Sequence, residues 1–541
     1  AKGKLPVFIF VVVVRKQNIL ANYETYLKNL VWVYQNEVGI LNGGPNGYAD
    51  GSAFEDESHP YSADLDVFGK SSLYELINRC VTKRGTDKLA LNLSREGDLE
   101  TILARQLAIQ EITSDIDRTF KFRANLKGNE LSKIEEIKYK LKEQLAQQLE
   151  FTHNVFLRGY VKIVPVVTFS LLALAVLFGG KFWGVLSLLA LAHAVLVFSQ
   201  IKWINKVYYG FSGSAVQLEN YAEAIAWTEA KHWKSPYIQD LFTSGDKVSL
   251  EIKKLAKIIQ AFDARLNILL GALLNFFFLW DIKCCINIDK WYQHASTKVE
   301  NGLDRIGDFE ELISLSTLSY NHPSWNFPIL KTDFFFSAEH IGHPLIPVAK
   351  RVDNDFAVNV MPTVDIITGS NMAGKSTFLR TVGINMVLAY SGAPVSAGRM
   401  ELSIFKLLTY MRIKDSLNES TSTFKAELNR LKMILTQVSL HQNSFVLIDE
   451  MLRGTNSKDK FMGSKVFIER LIVLKTPTLF ATHDLQLSEL KEVHDQEVRN
   501  FHFDIQINNG EMEFDYKLKE GPCTIFNAAI LLKQIGLSLD N

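Results

Sequence analysis

The sequence predicts an α/β domain at its C-terminal end, preceded by a mostly α-helical region into which a pair of apolar helices is inserted. Three observations carry this expectation. The run TGSNMAGKST, Thr368 to Thr377, lies between the apolar stretch Val364 to Ile367 and the segment FLRTVGINMVLAY. The run FVLIDE, Phe445 to Glu450, ends four apolar residues in two acids. Between Ile163 and Ile201 the only ionisable residues are Lys181 and His193.

The first run reads as a strand, a Gly-rich turn and a helix, which is the arrangement of a phosphate cradle. Backbone N–H groups of such a turn point at an anion, Lys375 supplies a positive charge for the outer phosphates, and the Ser376 hydroxyl is placed for Mg²⁺. Gly369 and Gly374 allow the tight turn. FVLIDE reads as a buried parallel strand whose C-terminal edge presents acids beside the nucleotide. Asp449 would hold Mg²⁺ through water, and Glu450 would orient and deprotonate the attacking water. A further apolar strand, TLFATHD, ends in His483. A neutral imidazole there could sense the γ-phosphate, and a purely structural histidine would look the same.

A chain of 541 residues has material for two to four domains. Lys plus Arg and Asp plus Glu both number 59, so the formal net charge is zero and no global field attracts nucleic acid. Contact with DNA would need a local patch or a cleft between two copies. The four cysteines, Cys80, Cys284, Cys285 and Cys523, have neither disulfide-scaffold density nor zinc spacing, which fits a reducing cytosolic setting for the soluble parts.

Ile163 to Gly180 and Phe182 to Ile201 are each about 18 to 20 residues, the length that crosses a hydrocarbon core of about 30 Å as a helix. So short a connection, Gly179 to Lys181, makes an antiparallel hairpin with both outer ends on one side. Arg158, Lys162, Lys202 and Lys206 mark those ends as cytoplasmic, so the expected localisation is the membrane with the nucleotide domain in the cytoplasm. Trp183 and Trp203 stand near the boundaries. A greasy hairpin inside a soluble core is the alternative. Near the start, PVFIFVVVV is too short to span and reads as either the remnant of a longer span or a buried strand. The chain opens on Ala1, which predicts a natural N-terminus further upstream. A third apolar stretch, Leu266 to Trp280, reads as a packed core helix.

From about Leu65 to Ser316 apolar residues recur at helical spacing among alternating lysines and glutamates, which describes solvated helix faces. The breaker-rich NHPSWNFP, Asn321 to Pro328, marks the entry to the nucleotide domain. The expected organisation is an N-terminal segment 1–60, a helical core 61–160, the transmembrane hairpin 161–203, a second helical part 204–325 and the nucleotide domain 326–541.

FAVNVMPTVDIITGSNMAGKSTFLRTVG, FVLIDEMLRGTNSKD and FATHDLQLSEL together resemble the ATPase domain of the MutS mismatch-repair family. HPYSADLDVFGKSSLYELINRC and the helix that carries Arg105 and Gln106 are similar to the opening of that family's core domain. The resemblance implies an α/β P-loop ATPase domain of the ABC/MutS type, preceded by a helical core and lever domain, with ATP and Mg²⁺ as cofactors. It covers roughly 60–150 and 300–541. It implies Gly369, Ser370, Asn371, Met372, Ala373, Gly374, Lys375, Ser376 and Thr377 as nucleotide-binding residues, with Phe356 packing on adenine. Within DSLNESTSTFKAEL, Ser422 matches a serine that reaches across a dimer to the partner's γ-phosphate. The catalytic set is then Glu450, Lys375, His483 and Ser422, and the metal set Ser376 and Asp449.

Three departures bear on function. The family's mismatch-reading domain is not in this sequence, the region of its DNA clamp carries the apolar hairpin, and QIGLSLDN precedes any dimerising helix-turn-helix. Leu452 also replaces a usual glycine. Two function classes follow: a membrane-anchored, homodimeric ATPase that processes double-stranded DNA, and an ATP-driven membrane switch acting on a protein partner.

Overall fold

The computed structural model describes residues 4–128, 131–242, 247–359, 361–370, 373–411, 423–453, 455–508 and 511–523. Helices that carry the argument are, in chain order, α1 (Lys4–Leu41), α2 (Leu99–Thr113), α3 (Val155–Phe178), α4 (Lys181–Tyr209), α5 (Ala215–Ala230), α6 (Val248–Phe262), α7 (Ile268–Phe278), α8 (Trp280–Asn321), α9 (Lys375–Tyr390), α10 (Thr423–Leu440) and α11 (Ser457–Val473). The strands are β1 (Ile329–Lys331), β2 (Phe336–Ile341), β3 (Asn354–Val358), β4 (Val364–Gly369), β5 (Arg399–Ser403), β6 (Lys406–Tyr410), β7 (Ser444–Asp449), β8 (Thr478–Ala481), β9 (Val498–Asn508) and β10 (Glu511–Glu520).

The chain folds into two compact units that interleave in sequence. One comprises 1–35, 80–85 and 117–310, and the other 36–79, 86–116 and 311–541. The boundaries expected from sequence ran in linear order, whereas 36–79 and 86–116 belong with the C-terminal α/β part.

In the helical unit, α3 and α4 form the antiparallel hairpin, turning at Gly179 and Gly180, both with positive φ. By length and composition each is apolar enough to cross a membrane, and little of either is buried within the protein. Both run beyond the uncharged stretches, to Val155 and Tyr209. The base of α4 is capped by Lys140, whose ammonium donates to the carbonyls of Lys206 (2.7 Å) and Val207 (2.9 Å). Burial pushes the Lys140 ammonium down to about 8. Trp227, Trp233 and Phe122 pack edge-on around Phe309 in this unit's core. PVFIFVVVV lies in α1, so the strand alternative is set aside. Leu266 to Trp280 corrects the core-helix expectation. It forms α7 after a sharp break, and of that helix only Gly271 is buried. An all-round apolar helix need not be central when its neighbours are themselves apolar helices.

In the α/β unit a six-stranded sheet runs β10-β9-β4-β8-β7-β6, parallel throughout except for the β9-β10 hairpin. Every residue of β4, β7 and β8 is buried, as continuous apolar runs covered on both faces require. A smaller sheet, β1-β5-β2-β3, lies in the same unit. The early segments are tied in by buried polar contacts. Asp64 accepts from Thr409 Oγ1 at 2.6 Å, and Arg430 donates to the Pro60 carbonyl at 2.8 Å. Arg105 pairs with Glu311 while its Nε donates to the Ser391 carbonyl at 2.8 Å, just beyond the end of α9.

Candidate nucleotide site

Three adjacent parallel strands end at one edge, and each delivers a predicted group: β4 the Gly-rich loop, β7 Asp449 and Glu450, and β8 the loop holding His483. Of the loop, Gly369, Ser370, Ala373, Gly374, Lys375, Ser376 and Thr377 are described. Asn371, Met372 and Ser422 lie outside the described residues.

Gly369 and Gly374 both need glycine. Gly369 has φ 140° and a Cβ there would meet the Phe503 carbonyl oxygen at 2.6 Å, and Gly374 has φ 110°. Gly374 precedes α9 without a side-chain cap, so first-turn N–H groups of that helix remain open to an anion. The Ser370 hydroxyl is buried without a hydrogen-bond partner among the described residues, a polar atom that a bound ligand could satisfy.

Lys375 is 3% exposed, and its ammonium donates to the carbonyls of Gly369 (2.7 Å) and Ser370 (2.8 Å). Burial pushes it down to about 8, against the pull of Asp449. Its Nζ lies 3.4 Å from His483 Nδ1. Burial and then the Lys375 charge lower the His483 imidazole from its ordinary value.

Asp449 is buried at the end of β7. Glu450 follows in left-handed backbone, φ 57°, held by its N–H donating to the Ala481 carbonyl at 3.0 Å. Its Oε1 lies 2.6 Å from His483 Nε2, a close approach without hydrogen-bond alignment, and its Oε2 lies 3.2 Å from Arg453 Nε. Arg453 also donates from Nη2 to the Asp449 carbonyl at 3.0 Å. It is thus a fifth member of the charged group, assigned no role from the sequence although it stands three residues after Glu450.

A cavity of about 290 Å³ adjoins the loop, lined in part by Gly374, Thr377, Phe503, Tyr516, His343 and Asn354. Tyr516 comes from β10 and meets Gly374 from 142 positions further on, a proximity with no local sequence signal. Burial, with Arg380 nearby, pushes the His343 imidazole down to about 4. Phe356 is not in this wall. It is 4% exposed and packs against Phe336, Phe378 and Phe501, so in this arrangement it is a core residue.

Oxygen donors from Ser376 and Asp449 suit a hard cation. Among the described residues no group of three His, Cys, Asp or Glu side chains could hold a metal ion.

Residues 365–529 match the family model for MutS domain V. The chain is similar to the DNA mismatch repair protein MutS of Thermotoga maritima, 32% identical over 222 residues, 40% of this chain and 27% of that protein. The MutS of Chlamydia muridarum is 31% identical over 225 residues, 40% of this chain and 27% of that protein. That of Ehrlichia chaffeensis is 29% identical over 287 residues, 52% and 34% respectively. The chain thus spans only about a quarter to a third of the length of these curated relatives. Residues 365–529 match MutS domain V, and it is this match and these relatives that carry the chain's resemblance to the MutS family.

Proposed function

We propose that this chain is a membrane-anchored ATPase of the MutS type, hydrolysing ATP at composite sites formed between two copies. The observation that carries the reading is the convergence of Lys375, Asp449, Glu450 and His483 on one Gly-rich loop at the edge of a parallel sheet. Lys375 and the first-turn amides of α9 take the outer phosphates, exchanging loop carbonyls for phosphate oxygens. Ser376 and Asp449 would hold Mg²⁺, which when bound neutralises phosphate charge. Glu450 accepts the proton of the attacking water, and neutral His483 fixes the carboxylate and faces the γ-phosphate. Ser422 of each copy completes the other copy's site, and the base sits in the cavity walled by Tyr516 and Phe503.

The hairpin α3–α4 anchors the protein, with the ATPase domain in the cytoplasm; its length, its hydropathy and the lysines at its open end support this. Double-stranded DNA is the partner that kinship with mismatch-repair proteins suggests. The zero net charge and the apolar hairpin favour the second reading, an ATP-driven switch acting on a protein partner.

The test is magnesium-dependent phosphate release by the detergent-solubilised chain. Retention of nucleotide with loss of turnover in Glu450→Gln supports the ATPase reading, and unchanged turnover sinks it. Mixed dimers of Ser422→Ala and Lys375→Ala chains should regain part of the lost activity if sites are completed in trans. Duplex binding that falls steeply with salt would select the DNA reading, and its absence at low salt the switch.

A further inference from the structure

We infer that α7, Ile268–Phe278, is a third membrane-inserted element, a half-length helix covered by lipid acyl chains in the leaflet beside the basic end of the α3–α4 hairpin. This rests on the membrane reading of that hairpin.

The sequence of α7, ILLGALLNFFF, is apolar on every face. Ile268 is 84% exposed, Leu269 79% and Leu273 56%, levels matching the outward faces of α3 and α4. A helix with this surface does not suit water, and it is no part of a shielded core. It is continuous with the hairpin surface, since Phe277 stacks on Phe169 of α3 at 4.9 Å between ring centroids.

Several of its polar groups are met without water, as hydrocarbon demands. Asn267 caps the first turn by accepting from the Leu270 N–H at 3.1 Å, and the Asn275 side chain donates to the Gly271 carbonyl. The Leu279 N–H donates to the Asn275 carbonyl, and His193 of α4 contacts the Phe276 carbonyl through Nδ1 at 2.8 Å. A helix-end carbonyl that water would otherwise satisfy is therefore met from inside the hairpin.

Its level is set by two contacts on α4. Arg265, just before α7, donates to Asn205 at 2.8 Å, beside Lys202 and Lys206, whereas Phe276 meets His193, 12 residues nearer the hairpin tip, or about 18 Å along the helix. Eleven residues extend about 16 Å, half of a hydrocarbon core of about 30 Å. The break from α6 bends the chain by 113°, so α7 enters without crossing. Arg265 supplies the cationic anchor of the interface, and it also pairs with Asp281 at 3.4 Å, which ties the start of α8 back to the same level.

The test is spin-label accessibility in the full chain reconstituted into phosphatidylcholine and phosphatidylglycerol liposomes. Cys80, Cys284 and Cys285 are buried, so Cys523→Ser suffices as background. Labels go on Leu269→Cys or Ile268→Cys in α7, Leu188→Cys in the hairpin and Leu440→Cys in the α/β unit, all exposed sites that need no repacking. The expected result is that both α7 labels, like Leu188→Cys, relax strongly with oxygen and weakly with a water-soluble nickel chelate, with Leu440→Cys showing the reverse. α7 labels that follow Leu440→Cys while Leu188→Cys stays in lipid overturn the inference and leave the anchor standing. Labels shielded from both reagents overturn it in favour of a protein covering. A water-accessible Leu188→Cys brings down the hairpin reading and this inference with it.

Discussion

His483 Nε2 sits 2.6 Å from Glu450 Oε1, so the side chains at the ends of two neighbouring strands, β8 and β7, meet over the loop that follows a third. Glu450 is thereby held between an imidazole and the Arg453 guanidinium. Replacing Glu450 with glutamine keeps the shape and removes the proton acceptor. Turnover should fall by about 10²-fold or more, in the range of lost general-base catalysis, with nucleotide retention unchanged in an equilibrium binding assay.

Arg453 is half exposed, yet it touches both acids. Arg453→Ala should remove the ion pair on Glu450 and lower kcat by roughly tenfold while the Kd for nucleotide stays within about twofold. Arg453→Lys should restore little, because a single ammonium cannot reproduce the fork that spans the two acids.

Lys375 carries a sign that can be checked. With its ammonium near 8 in the folded protein and 10.5 as its ordinary value, the buried charge costs stability below about pH 8, and the cost fades as pH rises towards 10.5. For binding the order reverses, because above pH 8 a proton must be taken up before phosphate is held. The Kd of a non-hydrolysable ATP analogue should rise towards tenfold per pH unit above 8, and Lys375→Arg should flatten that profile.

Gly369→Ala puts a methyl group 2.6 Å from the Phe503 carbonyl in backbone that L-residues avoid. A strain of about 1–3 kcal/mol at the loop should weaken nucleotide binding by roughly 5- to 150-fold, read by titration calorimetry.

The Arg105 and Glu311 pair is buried on both sides. Arg105→Met strands the Glu311 carboxylate and the Ser391 carbonyl, and should destabilise the α/β unit by about 3–5 kcal/mol in urea unfolding, without altering membrane flotation.

The grouping of the candidate site is legible in the sequence because each part is a short contiguous run: a glycine pair fixing a turn, two acids closing an apolar strand, a histidine closing another. The hairpin was legible because charge is missing over a fixed length. Phe356 was ambiguous, since a core phenylalanine and a base-stacking one share the same sequence signal, and β3 turns it into an aromatic cluster. Tyr516 and His343 gave no signal because their roles arise only where β10 and the segment after β2 reach the loop. The apolar composition of α7 predicts a helix, but composition does not distinguish a buried helix from an exposed one.

The interleaved threading of the α/β unit bears on how the chain comes off the ribosome. Asp64 meets Thr409 across 345 positions and Arg105 meets Ser391 across 286, so Leu65, Ile102 and Ile109 must await their partners while the hairpin is being synthesised. During that interval the apolar surface of the early segments stands exposed and prone to aggregate. A fragment starting near 326 would lack these pieces altogether, so a soluble expression clone should retain 36–79 and 86–116.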